Sequence, residues 1–133
     1  MNIKIFKKLR LLIANKKQND TDFSKSYFHN IKFLNANLSL TNFQKSEFSN
    51  VDFWGAKLLG CDFALSRFTN GTYLESADFS GSNLCGVEFT NASYNTAIFS
   101  NTNLIGVGGF PATKFPENFN PKEHDMIDIF EIT

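Results

Sequence analysis

Large apolar side chains return at every fifth position along most of this chain. From Phe23 the series runs Phe28, Phe33, Leu38, Phe43, Phe48, Phe53, Leu58, Phe63, Phe68 and Tyr73. One residue is then added, and the series resumes as Phe79, Leu84, Phe89, Tyr94, Phe99 and Leu104. A second column runs two residues ahead of these centres and holds small or compact residues: Thr21, Ser26, Ile31, Ala36, Thr41, Ser46, Val51, Ala56, Cys61, Ser66 and Gly71, then Ala77, Ser82, Val87, Ala92, Ala97 and Thr102. The other three columns are mostly polar.

A period of five matches neither a helix face, which repeats every 3.6 residues, nor a strand, which alternates every two. It suits a chain that turns a corner every five residues, sends each centre inward, and stacks coil upon coil. A single coil cannot bury its own inward face, so neighbouring coils have to cover it. The added residue is expected near Glu75 and Ser76, as a bulge at a corner where it disturbs least.

Units such as Ala-Asp-Phe-Ser-Gly at 77–81 and Ala-Asn-Leu-Ser-Leu at 36–40 resemble those of the pentapeptide-repeat family, over residues 21 to about 105. The resemblance implies an all-β fold, a right-handed quadrilateral parallel β-helix with one pentapeptide per side and about twenty residues per coil. Seventeen centres then make about four coils, a rod roughly 20 Å long at ~4.8 Å per coil. The expected organisation is a basic N-terminal segment over 1–19, the solenoid over 20–106 and a C-terminal cap over 107–133.

With twenty residues per coil, twenty-one across the insertion, the sequence maps onto four faces. Counting only the residue after each centre, one face presents Leu34, Trp54 and Leu74 before Asn95. The other three read Ser24, Gln44, Ala64, Cys85; His29, Ser49, Thr69, Thr90; and Ser39, Leu59, Ser80, Ser100. Leu34, Trp54 and Leu74 are therefore the partner-binding candidates, because a contiguous outward apolar stripe marks an interface. Glu47, Arg67 and Glu88 are expected to stack as an exposed charge ladder, and Asn30, Asn50, Asn70 and Asn91 as a corner ladder suited to turns.

The ends differ from the middle. Ile3, Ile5, Phe6, Leu9, Leu12 and Ile13 fall on one helical face, with Lys4, Lys7 and Lys8 opposite and Arg10 at the border. This predicts a short capping helix, whose alternative role is to hold a membrane surface or a partner. Gly106, Gly108 and Gly109 are expected to end the repeat. The stretch from Thr113 to Pro121 resembles the closing segment of pentapeptide-repeat proteins of photosynthetic bacteria, with Phe115 and Phe119 as plugs. Residues 1–17 hold six Lys/Arg and no acid, whereas five acids and two lysines follow residue 113.

The 133 residues include sixteen Phe, and the formal net charge is zero. One domain's worth of chain fits the solenoid and its caps. Neutrality argues against nucleic acid as a partner, since counterion release needs a basic excess. It also argues against an acidic DNA mimic that binds topoisomerase, as some relatives do: residues 20–106 carry eight acids and five bases. The N-terminal apolar run is too short for a signal peptide and no stretch is long enough to span a bilayer, so the expected address is the cytoplasm, with the periphery of a membrane as the alternative.

No chemistry-bearing set emerges. His29 and His124 have no partner at metal-ligand spacing, Cys61 falls in the inward column and Cys85 faces out. The column Asp22, Asn42, Asp62, Asn83 and Asn103 is oxygen-rich but reads as structural. The reading is of a protein with no catalytic residues, no cofactor and no metal. It contacts another protein, or a second copy of itself, through its outer faces and termini.

Overall fold

The computed structural model describes residues 4–5, 21–93, 97–99, 102–108, 119–120 and 123. Within them the chain winds as a four-sided parallel β-solenoid. We name its sides A to D in chain order. Side A carries the centres Phe23, Phe43, Phe63, Leu84 and Leu104, and side B carries Phe28, Phe48, Phe68 and Phe89. Side C carries Phe33, Phe53 and Leu74, and side D carries Leu38, Leu58, Phe79 and Phe99.

Each five-residue unit is a short extended stretch followed by a corner. At the corners a carbonyl accepts from the N–H three residues on: Ala36 donates to Phe33 O at 3.0 Å and Ala56 to Phe53 O at 2.9 Å. The third residue of each such turn has positive φ, as in Asn35 (55°) and Gly55 (68°), which is the type II arrangement. Asn and Gly tolerate this left-handed region, so they recur there. The Asn ladder holds Asn30, Asn50, Asn70 and Asn91, all with φ between 52° and 54°. Asn50 Nδ2 donates to Asn30 Oδ1 at 2.7 Å.

Side B holds the regular strands: β1 (Lys4–Ile5), β2 (Tyr27–His29), β3 (Glu47–Ser49), β4 (Arg67–Thr69) and β5 (Glu88–Phe89). They form one parallel sheet in the order β1-β2-β3-β4-β5. On the other sides isolated parallel bridges serve, such as Asp22↔Asn42↔Asp62↔Asn83↔Asn103 on side A. Backbone polar groups are thereby paired along the rod axis, which is what permits the interior to be dry.

The interior is filled by stacked rings. Phe28, Phe48, Phe68 and Phe89 have centroids 4.9, 4.8 and 5.0 Å apart with planes within 14° of parallel. Phe43 and Phe63 stack at 4.9 Å, while rings from adjacent sides meet edge-on, as do Phe43 and Phe48 at 70°. Burying each such side chain contributes about 1.5–3 kcal/mol.

The compact column is a second internal network. Ser66 Oγ donates to Phe43 O at 2.7 Å and accepts from Ser46 N–H at 3.3 Å. Ser46 Oγ repeats this with Phe23 O and Ser26 N–H, and Thr72 Oγ1 with Phe48 O and Val51 N–H. Small hydroxyl residues suit this column because they join coils while leaving the rings room. Cys61 lies buried in it, as expected, with Sγ 3.0 Å from Leu38 O.

Three expectations are corrected. The added residue is not at Glu75–Ser76 but at the Asn70–Gly71 corner, where Gly71 takes φ 80° and its N–H donates to Asn91 O at 2.7 Å. Consequently Thr72, not Gly71, is the compact residue, and Leu74, not Tyr73, is the buried centre. A regular corner then follows at Ser76 (φ 60°).

Gly106 and Gly108 do not break the repeat either, while Gly109 lies outside the described residues. Gly106 occupies a corner with φ 70°, Val107 is buried, and Gly108 pairs with Glu88. Finally, Lys4–Ile5 is not helical. It is a strand in parallel register with Tyr27–Phe28, supplying a neighbour to the otherwise open first edge of side B. Lys7, Lys8 and Arg10 lie outside the described residues, as do Tyr94, Phe115 and His124. Phe119 packs on Phe99 with centroids 5.6 Å apart, covering the core at the C-terminal end.

Candidate interaction surfaces

Because the interior of the described coils is filled, the surfaces open to contact lie on the outside. Side C holds the first candidates. Trp54 is 44% exposed and Leu34 is half-buried, but Leu74 is fully buried (0% exposed) and leaves the predicted stripe. The physical reason is the one-residue shift at Gly71, which turns Leu74 inward and brings Glu75 to the position beneath Trp54. Glu75 is held there by two donors, Tyr73 Oη at 2.6 Å and Ser93 Oγ at 2.8 Å. Donating to that carboxylate raises the Tyr73 phenol above its ordinary pKa.

The same corner forms an open groove of about 470 Å³, lined by Asn30, Lys32, Asn50, Val51, Asp52, Gly71 and Tyr73. It is polar and wide. Asp52 Oδ1 there accepts the N–H of Trp54 at 2.9 Å, a turn contact.

Side A presents a second apolar surface that the tally of side-facing residues missed. Leu65 and Ile105 are each 58% exposed. Ala64, Cys85 and Ile105 follow one another down the column after the centres, and Leu65 sits at the adjoining corner above Gly86 and Gly106. The signal that could have found it is the corner column itself. Leu65, like Leu40 on side D, stands out among corners otherwise held by Asn, Gly, Lys and Ser, because a bulky side chain at φ 60° is strained by about 1–2 kcal/mol.

Beside this surface runs the oxygen-rich column. Asp22, Asn42, Asp62, Asn83 and Asn103 each accept, through Oδ1, the N–H two residues on. Ser24 holds the Asp22 carboxyl below its usual range through those hydrogen bonds. Gln44 Nε2 donates to Asp62 Oδ2 at 2.6 Å and Asn103 Nδ2 to Asn83 Oδ1 at 3.1 Å, so the column is a set of turn caps and ladder contacts. Among the described residues no group of His, Cys, Asp and Glu is arranged to hold a metal ion.

Side B shows the charge ladder as expected. Arg67 lies 3.9 Å from Glu47 and 3.7 Å from Glu88, all partly exposed. Such pairs contribute below about 1 kcal/mol each. Among the described residues no helix is long and apolar enough to cross a membrane.

A filled four-sided parallel β-helix is a repeat solenoid and defines the class of protein. The family model for pentapeptide repeats matches this chain in eight copies, over residues 21–53, 46–71 and 70–107. The chain belongs to the pentapeptide-repeat family, whose members are generally structural or interaction modules. Its solenoid is similar to that of a pentapeptide repeat protein from the Arabidopsis thaliana thylakoid lumen, at TM-score 0.70 and 20% identity, over 74% of this chain and 68% of that one. It is also similar to HetL, a pentapeptide repeat protein involved in heterocyst differentiation regulation in the cyanobacterium Nostoc, at TM-score 0.55 and 15% identity. That match covers 86% of this chain and 56% of HetL, so the chain spans little more than half of HetL's length. At these identities the likeness shows the fold. No curated protein matches the chain in sequence.

Proposed function

We propose that this protein is a non-enzymatic interaction module that binds another protein through the outer faces of its solenoid. The observation that carries the reading is the pairing of a filled interior with large apolar side chains left on the outside, Trp54 on side C and Leu65 and Ile105 on side A. Exposed apolar side chains on a rigid, regular wall are what a partner buries. HetL, a protein of this fold involved in heterocyst differentiation regulation, is a precedent for a regulatory role. The fold carries no cellular address, since a relative occupies the thylakoid lumen. Anchoring by a basic amphipathic helix loses support at Lys4–Ile5, which lie in the sheet.

The test is capture from a lysate of the source organism with wild type, Trp54→Glu and Leu65→Glu side by side, each checked for native circular dichroism. Proteins retained by wild type and lost by one variant identify the working side. Identical retention by all three, or none, overturns the reading.

A further inference from the structure

Resting on the reading that the outer sides are binding surfaces, we propose that side A binds a second copy of this chain in antiparallel orientation, with Cys85 near the two-fold axis. A two-fold axis lying in the plane of the contact, across the rod, sets each column against the same column of the other copy and reverses the order of the coils. Centred on the coil of Cys85, it places Leu65 against Gly106 and Ile105 against Ala64. It also sets Asp62 against Asn103, and Asn83 and Cys85 against their own counterparts.

This pairing is complementary throughout. The two most exposed large apolar side chains among the described residues, Leu65 and Ile105, each oppose a residue with little or no side chain. Leu65 already lies over Gly86, where a Cβ would come within 2.8 Å of Leu65 Cδ2, while a Cβ at Gly106 would meet only the Gly86 backbone, at an ordinary 3.8 Å, among the described residues. The only charged residue in these three coils of side A, Asp62, opposes an amide able to donate to it.

The backbone supplies an independent reason. Leu65 holds φ 60° and is 58% exposed, so the position combines conformational strain with apolar exposure. The equivalent side A corners, Lys25, Lys45, Gly86 and Gly106, carry no such apolar side chain. A contact made outside the chain accounts for Leu here. Three coils span only ~15 Å, less than a standard interface needs, so the dimer should dissociate in the micromolar range.

Sedimentation velocity of the full chain from about 1 µM to about 500 µM tests this. Wild type should pass from monomer to dimer. Leu65→Glu should raise the dissociation constant about tenfold or more. Gly106→Asn should do the same while keeping the fold, since Asn occupies this φ at five other corners. A short bis-maleimide should join wild-type dimers through Cys85 and fail with Cys85→Ser. A monomer at every concentration overturns the proposal, as does a dimer indifferent to both substitutions. A dimer not joined at Cys85 overturns the antiparallel register. If the chain is monomeric yet Trp54→Glu still strips proteins captured from lysate, the copy-to-copy contact fails and partner binding stands.

Discussion

Phe48 lies between Phe28 and Phe68, 4.9 Å from one ring and 4.8 Å from the other, with both pairs nearly parallel. It is an inner ring of a stack that runs unbroken through four coils, and it also meets Phe43 and Phe53 edge-on. Phe48→Ala should therefore remove contacts to the coils on both sides, costing about 3–5 kcal/mol by urea unfolding. Phe23 caps its column at the first coil and is only partly buried, so Phe23→Ala should cost clearly less.

The place of the extra residue can be read by deletion. Removing Gly71 leaves Asn70 followed by Thr72, the same corner as Asn50 followed by Val51, and every inward side chain keeps its role. The deletion should change stability by less than about 1 kcal/mol, because loop corners tolerate length change. Removing Ser76 instead restores the five-residue count only if Tyr73 turns inward and Leu74 outward. That buries a phenol hydroxyl away from Glu75 and exposes a core leucine, at a cost of about 2–4 kcal/mol. Equal effects of the two deletions would contradict the observed register.

The two thiols should behave as opposites. Burial pushes the Cys61 thiol up to about 12 from an ordinary 9.0, so its thiolate is suppressed in the native state, whereas Cys85 is half-exposed. One thiol per chain should react with a maleimide in native buffer and two after unfolding. The pH consequence follows from which state holds the proton. Below about pH 9 both states keep the Cys61 proton, and the preference for the native state is complete. Between about 9 and about 12 the unfolded chain has lost the proton and the folded chain still holds it, so stability falls as pH rises, by at most about 1.4 kcal/mol per unit. Cys61→Ala should lack this component when its alkaline stability curve is compared with that of wild type.

The solenoid was legible because its cause is local and repeated. A ring every five residues, with a compact residue two before it, admits one way of winding, and the structure keeps both columns. The placement of the insertion was not legible from spacing alone. Gly71-Thr72-Tyr73-Leu74 offers two small residues followed by two large ones, so the count closes equally well in either register. Chemistry separates them: Thr72 supplies the hydroxyl the compact column uses elsewhere, and Leu74 has no polar group to leave buried. From that one-residue difference comes the loss of Leu74 from the stripe with Leu34 and Trp54. The side A surface was missed for another reason. Its most exposed member, Leu65, stands at a corner, and corners were weighed as turn chemistry rather than as surface.

The N-terminal segment poses the last question that can be decided by experiment. Its apolar residues suit a helix, yet Lys4–Ile5 pairs in parallel with Tyr27–Phe28. Sheet hydrogen bonding wins locally because the first coil of side B otherwise ends in unpaired backbone groups, which a strand satisfies and a helix cannot. Deleting residues 1–17 should therefore speed amide exchange in Tyr27–His29, with Glu47–Ser49 one coil deeper changed less. If the segment instead worked as a membrane helix, the deletion would leave that exchange unaltered and abolish sedimentation with anionic liposomes. The strand pairing predicts the reverse pattern in both measurements.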